Sequence, residues 1–279
     1  MSPRTSPDGR RRQHGSRGRA RRRLAVGLGS ATALTTAAVV TGTFLPPASA
    51  ATWPTPTSSH GTGSTISVSG TRDYGYARYY GTGDLGTDGQ SEDQGPIFDL
   101  APGATLKNVI IGSPAADGVH CEGSCTLQNV WWEDVGEDAA TFRGSSSSNV
   151  YTVTGGGARH ASDKVLQFNG AGKLVVSNFA VQDFGKLVRS CGNCSTQYKR
   201  TIELNGIEAT YKGSAIAGIN TNYGDTVSLR NITVIGDSSH KIVPCQKYIG
   251  NNTGAEPPKN GSDPDGFYCN YKSSDITYK

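Results

Sequence analysis

The sequence predicts an all-β fold, a right-handed parallel β-helix built as a single solenoid, and three observations carry that expectation. Short runs of strand-forming residues recur every 20–29 residues. Each run pairs an asparagine with alternating apolar residues. No 3.6-residue apolar periodicity separates the runs, so helices do not connect them.

The recurring asparagines are Asn108, Asn129, Asn149, Asn178, Asn205 and Asn231, spaced 21, 20, 29, 27 and 26 residues apart. Each run is four to six residues long and bounded by Gly, Ser or Asp. Leucine-rich repeats share this period but need a denser leucine frame and often a helix per repeat. Val, Ile, Phe and Trp alternating with polar residues suit stacked coils better. Asn108, Asn129 and Asn231 are therefore read as turn or ladder residues with no catalytic part. Trp131 and Trp132 are neighbours on one strand and must face opposite sides. One is expected in the core, the other outward, where an indole can stack on a sugar.

The N-terminus is organised for export. Residues 1–23 are polar and arginine-dense, residues 24–45 are apolar and small, and Ala48-Ser49-Ala50 forms a small-residue cleavage site. That order marks residues 1–50 as a secretory signal peptide. A membrane anchor is the rival, disfavoured by the Gly and Thr content and by the absence of flanking aromatics. Residues 51–71, rich in Thr, Ser, Pro and Gly, read as a mature N-terminal lead, a first strand or cap, and residues 72–279 as the solenoid domain. The full chain carries a formal net charge of +4, but residues 1–50 hold nine of its 27 basic residues and one of its 23 acidic ones. The mature chain is mildly acidic, so its charge gives no argument for nucleic-acid binding. A secreted monomer, with no membrane association after signal cleavage, is expected.

Six cysteines in an exported chain suggest disulfides. Local spacing favours Cys121–Cys125, Cys191–Cys194 and Cys245–Cys269, although sequence alone leaves all connectivities open. A zinc site from Cys191, Cys194, Cys121, Cys125 and His120 is the rival. Beside Cys121, His120 reads as packing against a disulfide.

Three clusters carry chemistry. Asp117 comes first, and Glu137-Asp138 follows 20 residues on, about one coil later. Carboxylates on neighbouring rungs, about 4.8 Å apart, repel without a cation, and hard oxygen donors in this number suit Ca²⁺. The third cluster is cationic: Asp163-Lys164, then Lys186 and Arg189, one and two coils further on. An anion-binding strip beside a calcium site is what a polyuronate requires.

These motifs resemble a known family. GATLKNVIIG at 103–112, ADGVHC at 116–121, NVWWEDVGEDAAT at 129–141, DKVLQFNG at 163–170 and DFGKLVRSCGNC at 183–194, preceded by Gln90-Ser91-Glu92, are similar to the third family of polysaccharide lyases, the small secreted pectate lyases. The resemblance spans roughly residues 74–271. It implies a parallel β-helix, a Ca²⁺ requirement and eliminative cleavage of polygalacturonate. It carries calcium ligation onto Asp117, Glu137 and Asp138, adds Glu92 and Asp163 as further ligands, and places base and substrate-binding roles on Lys164, Lys186 and Arg189.

Lysine lowers its pKa readily and arginine does not, so Lys164 is expected to be the base, its ammonium disfavoured by Lys186, Arg189 and the cation. Arg189 is then the carboxylate clamp and Lys186 binds substrate; an exchange of roles between Lys164 and Arg189 stays open. The rivals are a polygalacturonase-type hydrolase and a non-catalytic pectate-binding β-helix. Product chemistry separates them: only elimination leaves an unsaturated sugar end.

Overall fold

The asparagine rhythm becomes a bend column. In a computed structural model of the chain, which describes residues 52–279 apart from Glu92, Asn108, Asn129, Asn178 and Asn231 all adopt left-handed backbone with φ near +50°. Asparagine tolerates that region better than other non-glycine residues. At two coils glycine takes the column position instead, as Gly155 and Gly206. The Asn149 and Asn205 of the sequence pattern sit six residues and one residue earlier. The side chains also form ladder contacts: Asn129 Nδ2 donates to Asn108 Oδ1 at 3.0 Å, and Asn231 Nδ2 to Asn205 Oδ1 at 2.8 Å. The structural reading of Asn108, Asn129 and Asn231 is what the structure shows.

Fifteen strands pair parallel along the described residues, with three short 3-10 turns and no α-helix. One ladder stacks β1 (Ser59–Thr62), β3 (Thr71–Gly81), β5 (Thr105–Ile111), β7 (Cys125–Trp132) and the first halves of β9 (Val150–Phe168), β10 (Gly172–Ser190) and β11 (Arg200–Asn220), then β12 (Thr226–Ile235). A second stacks β2 (Ile66–Val68), β4 (Phe98–Leu100), β6 (Val119–Cys121), β8 (Ala140–Phe142), the closing segments of β9, β10 and β11, and β13 (Val243–Tyr248). Strands β14 (Cys269–Asn270) and β15 (Ile276–Tyr278) finish on β12. This is the expected parallel β-helix. Because β1 and β2 pair with β3 and β4, the 51–71 lead supplies first strands to the stack. Residues 1–50, read as the export signal, lie outside the described residues. Among the described residues no helix is long and apolar enough to cross a membrane.

The core is the coil interior. Each strand of the second ladder points its outer two positions inward: Phe98, Val119, Ala140, Leu166 and Val188 form one column, and Leu100, Cys121, Phe142 and Phe168 another, all fully buried. Burying a side chain of this size contributes about 1.5–3 kcal/mol. The middle position points out, and this places the site described below. Disulfides join Cys121 to Cys125, Cys191 to Cys194 and Cys245 to Cys269, the pairing local spacing favours, so none of these thiols serves a zinc ion.

Trp132 is fully buried and lies 6.4 Å from Phe179, as a core residue should. Trp131 takes the opposite face of the strand. It faces outward, yet Trp53 covers it edge-on at 4.9 Å, with the Arg159 guanidinium 3.5 Å from the Trp53 ring centroid. Trp53 thus covers part of the indole, and Trp131 also lines a surface cleft with Asn129, Phe179 and Glu208.

Candidate functional site

The outward middle positions of the second ladder form one row in strict register: Asp99, His120, Thr141, Gln167, Arg189, Gly218 and Gln246. Three residues before four of these lie Asp117, Asp138, Lys164 and Lys186, and Lys186 pairs directly with Lys164. The coil length thus converts sequence spacing into a second row of charged side chains beside the first. Left-handed residues Ala116 and Gly118 flank Asp117, and His160 and Asp183 bend the chain shortly before Lys164 and Lys186. At Gly118 a Cβ would meet the Ala139 carbonyl oxygen at 2.1 Å, so the close approach of these coils needs glycine.

The structure brings Asp117, Glu137 and Asp138 together. All three are buried, and one ligand oxygen from each lies within 4.8 Å of the others. Oδ1 of Asp117 and Oδ1 of Asp138 are inaccessible to solvent and accept no hydrogen bond. Buried carboxylate oxygens that accept no hydrogen bond are costly, even though Asp138 Oδ1 has the Lys164 ammonium at 3.7 Å. A divalent cation with a preference for several hard oxygen ligands answers that deficit, so the donor set fits Ca²⁺. Desolvation pushes the Asp138 carboxyl well above its ordinary range, against the opposing charge of Lys164; it raises Glu137 as well.

Lys164 reaches into this cluster. Its Nζ donates to Glu137 Oε1 at 3.0 Å and lies 3.7 Å from Asp138 Oδ1 and 3.4 Å from Asp163 Oδ2. Burial opposes the ammonium, but Asp138, Glu137 and Asp163 outweigh it and hold its pKa above the usual lysine value. The expected lowering is therefore corrected: carboxylate oxygens at 3.0, 3.7 and 3.4 Å stabilise the ammonium more than burial opposes it.

Asp163 sits between two lysines. Lys186 Nζ donates to its Oδ1 at 2.6 Å. Burial works against the Asp163 carboxylate, but that hydrogen bond and the charges of Lys186 and Lys164 hold its pKa below the ordinary value. Asp163 lies 3.4 Å from Lys164 Nζ and is not one of the three residues whose ligand oxygens gather within 4.8 Å. Glu92 lies outside the described residues. Its loop neighbour Gln90 donates to the Gly136 carbonyl at 2.6 Å, next to Glu137.

Arg189 is anchored from several sides. Nη1 donates to Asn220 Oδ1 at 3.0 Å and to the Ser190 carbonyl, and the guanidinium lies 4.0 Å from the Tyr248 ring centroid. Desolvation lowers its pKa. Asn220 is itself fixed: its Nδ2 donates to the Cys191 carbonyl, and its backbone N–H to the buried Asp225. With Asp163, Lys164, Gln167, Lys186 and Glu256, Arg189 lines a polar cleft of about 160 Å³. Asn220 and Tyr248 were not singled out in the sequence. Their only signal is register, since Tyr248 pairs with Asn220 across β11 and β13.

His120 also departs from its expected role. Its Nε2 lies 2.5 Å from Asp117 Oδ2, and Arg143 Nη1 lies 2.7 Å from its Nδ1. It is a polar partner of the acid cluster as well as a neighbour of the disulfide. Glu133 is directed elsewhere, into an ion pair with Arg78 at 2.6 Å.

Comparison with known proteins gives a consistent result. The pectate lyase family profile matches residues 50–254. Pectate lyase E of Emericella nidulans is 48% identical over 206 residues, covering 73% of this chain and 78% of its own. The probable pectate lyase E of Neosartorya fischeri is 50% identical over 209 residues, covering 74% and 78%. Among solved structures, the catalytic domain of pectate lyase PelI from Erwinia chrysanthemi superposes with a TM-score of 0.65 at 31% identity, over 80% of this chain and 98% of that one. PelI in complex with tetragalacturonic acid gives a TM-score of 0.66 at 31% identity, over 78% of this chain and 70% of that one.

Proposed function

The chain belongs to the pectate lyase family, and on that premise we propose that it is a secreted, calcium-dependent lyase that cleaves (1→4)-α-D-galacturonan by β-elimination, releasing 4,5-unsaturated oligogalacturonates. The observation that carries the reading is the adjacency of three buried carboxylates, two with an oxygen that accepts no hydrogen bond, to a cleft lined by Lys164, Lys186 and Arg189. The tetragalacturonic acid bound by PelI supports a polygalacturonate substrate. The basic, apolar and small-residue order of residues 1–50 and the three disulfides support export, with residues 51–279 as the working protein, which we take to act as a monomer.

Asp117, Glu137 and Asp138 would hold Ca²⁺, with Asp163 and Glu92 as further ligands. When bound, the ion supplies positive charge beside a uronate carboxylate, which makes the neighbouring C5 proton more acidic. The chain's own groups do the rest. Arg189, held by Asn220 and Tyr248, grips a substrate carboxylate with its planar fork. Lys186 pairs with the substrate as a point charge. Lys164 accepts the C5 proton on a neutral amine, which requires that Glu137, Asp138 and Asp163 be engaged elsewhere. The C5–H electron pair becomes the C4=C5 double bond, and O4 leaves with the C4–O4 pair and takes a proton from solvent. No water attacks, so the paired carboxylates of a hydrolase have no part here.

The test is to incubate the protein with polygalacturonate and follow near-ultraviolet absorbance with added calcium and with chelator. Rising absorbance only with calcium supports the reading. Chain shortening without absorbance identifies a hydrolase, and binding without shortening a non-catalytic module.

A further inference from the structure

We propose that His120 and Arg143 form a positioning relay that holds the Asp117 carboxylate toward the cation; this rests on the calcium reading above and deepens it. Three observations combine. Arg143 Nη1 lies 2.7 Å from His120 Nδ1, and His120 Nε2 lies 2.5 Å from Asp117 Oδ2. A guanidinium only donates, so Nδ1 must accept. The ring proton therefore sits on Nε2 and is given to Asp117 Oδ2. That fixes one oxygen of Asp117 and leaves the other, Oδ1, buried and without a hydrogen bond in the Asp117–Glu137–Asp138 cluster.

The architecture around the relay is suited to holding an angle. His120 is the outward middle residue of β6 and pairs with Thr141 of β8, and Arg143 follows directly after β8. Histidine and arginine thus come from adjacent coils in fixed register. The Cys121–Cys125 bridge closes the turn after His120, and Glu122 lies 3.4 Å from Arg143 Nη1 as a second anchor. A histidine needed only for packing would not require a dedicated donor on its far nitrogen. Partners one step behind a metal ligand set its orientation and basicity, and losing one typically costs about 10–100-fold in metal affinity.

The test measures calcium affinity by titration calorimetry, melting temperature in chelator, and kcat and KM at saturating calcium. His120→Leu is expected to weaken calcium binding by about 10–100-fold, with turnover largely restored by excess calcium. His120→Gln keeps a donor near the Nε2 position and is expected to bind calcium within about threefold of wild type, a conservative rescue that a packing role would not produce. Arg143→Met, at a half-exposed position, is expected to show a smaller loss in the same direction without a fall in the chelated melting temperature. If His120→Leu or Arg143→Met lowers the chelated melting temperature while calcium affinity stays at the wild-type value, the relay is overturned and the contacts are structural. Wild-type protein that binds no calcium overturns the calcium reading and the relay with it.

Discussion

The ammonium of Lys164 lies 3.0 Å from Glu137 Oε1, within the carboxylate cluster where a calcium ion would bind. The same oxygens cannot fully serve both cations. We expect the ammonium and a bound ion to compete for these oxygens, so that calcium binding displaces Lys164 toward Lys186 and Arg189. Lys164→Met is expected to tighten calcium binding by at least about tenfold, since a unit charge at about 4 Å is worth roughly 4 kcal/mol at the effective dielectric of such sites. The same substitution should destabilise the chelated protein by about 3 kcal/mol, because it strands buried carboxylates. Calorimetric titration and chemical denaturation measure the two effects; weaker calcium binding in the variant contradicts the exchange.

The base assignment is tested by two swaps. Lys164→Arg keeps the charge but removes a base that can be neutral near working pH, so kcat should fall by orders of magnitude while pectate binding survives. Arg189→Lys replaces a bidentate fork with a point charge, so KM should rise with turnover still measurable. A Lys164→Arg enzyme with near-normal kcat beside a dead Arg189→Lys enzyme exchanges the two roles.

Stability should depend on pH in a calcium-linked way. Desolvation raises the folded pKa of Asp138 above its ordinary 3.8. Such a group adds stability in acid and loses it as pH rises through the folded value. Asp163, held below 3.8 by its lysines, runs the other way, and its contribution disappears as pH falls through that lower value. Calcium needs ionised ligands. The gap in melting temperature between calcium-loaded and chelated protein should therefore widen as pH rises from about 4 to 8, and Asp138→Asn should flatten that slope. A gap that narrows with pH counts against the cluster as the calcium site.

Asn220 links the clamp to the core. It is fully buried, accepts from Arg189 and donates to the Cys191 carbonyl. Asn220→Ala removes the Asn220 donor to the Cys191 carbonyl and one acceptor of Arg189, which keeps the Ser190 carbonyl, an expected loss of about 1–3 kcal/mol, and KM should rise more than kcat falls because Arg189 is held less firmly. An unchanged KM in a destabilised variant would make Asn220 purely structural.

What was legible in the sequence follows from what repeats locally. Asn108, Asn129 and Asn231 announced the bend column because asparagine is one of few residues that tolerate positive φ. Gly155 and Gly206 hid two coils of it, since glycine meets the same demand and occurs everywhere in this chain. Asp117, Glu137 and Asp138 were legible as a cluster because their spacing equals one coil. The surroundings of Lys164 were not: Lys186 and Arg189 are its obvious neighbours along the stack, but the carboxylates of Glu137 and Asp163 lie 3.0 and 3.4 Å from its ammonium. The partial cover over Trp131 is not legible either, as Trp53 comes from a segment with no strand pattern of its own. The Arg143–His120–Asp117 chain depends on which way side chains turn between coils, and spacing does not encode that.

The most direct test of the central claim is the absorbance of polygalacturonate at near-ultraviolet wavelengths during incubation with the protein, in calcium and then in excess chelator. The account predicts a steady rise with calcium, its arrest by chelator and its return when calcium is restored, with Asp117→Ala needing far more calcium to reach the same rate. Chain shortening that proceeds in chelator, or without any gain in absorbance, would contradict it.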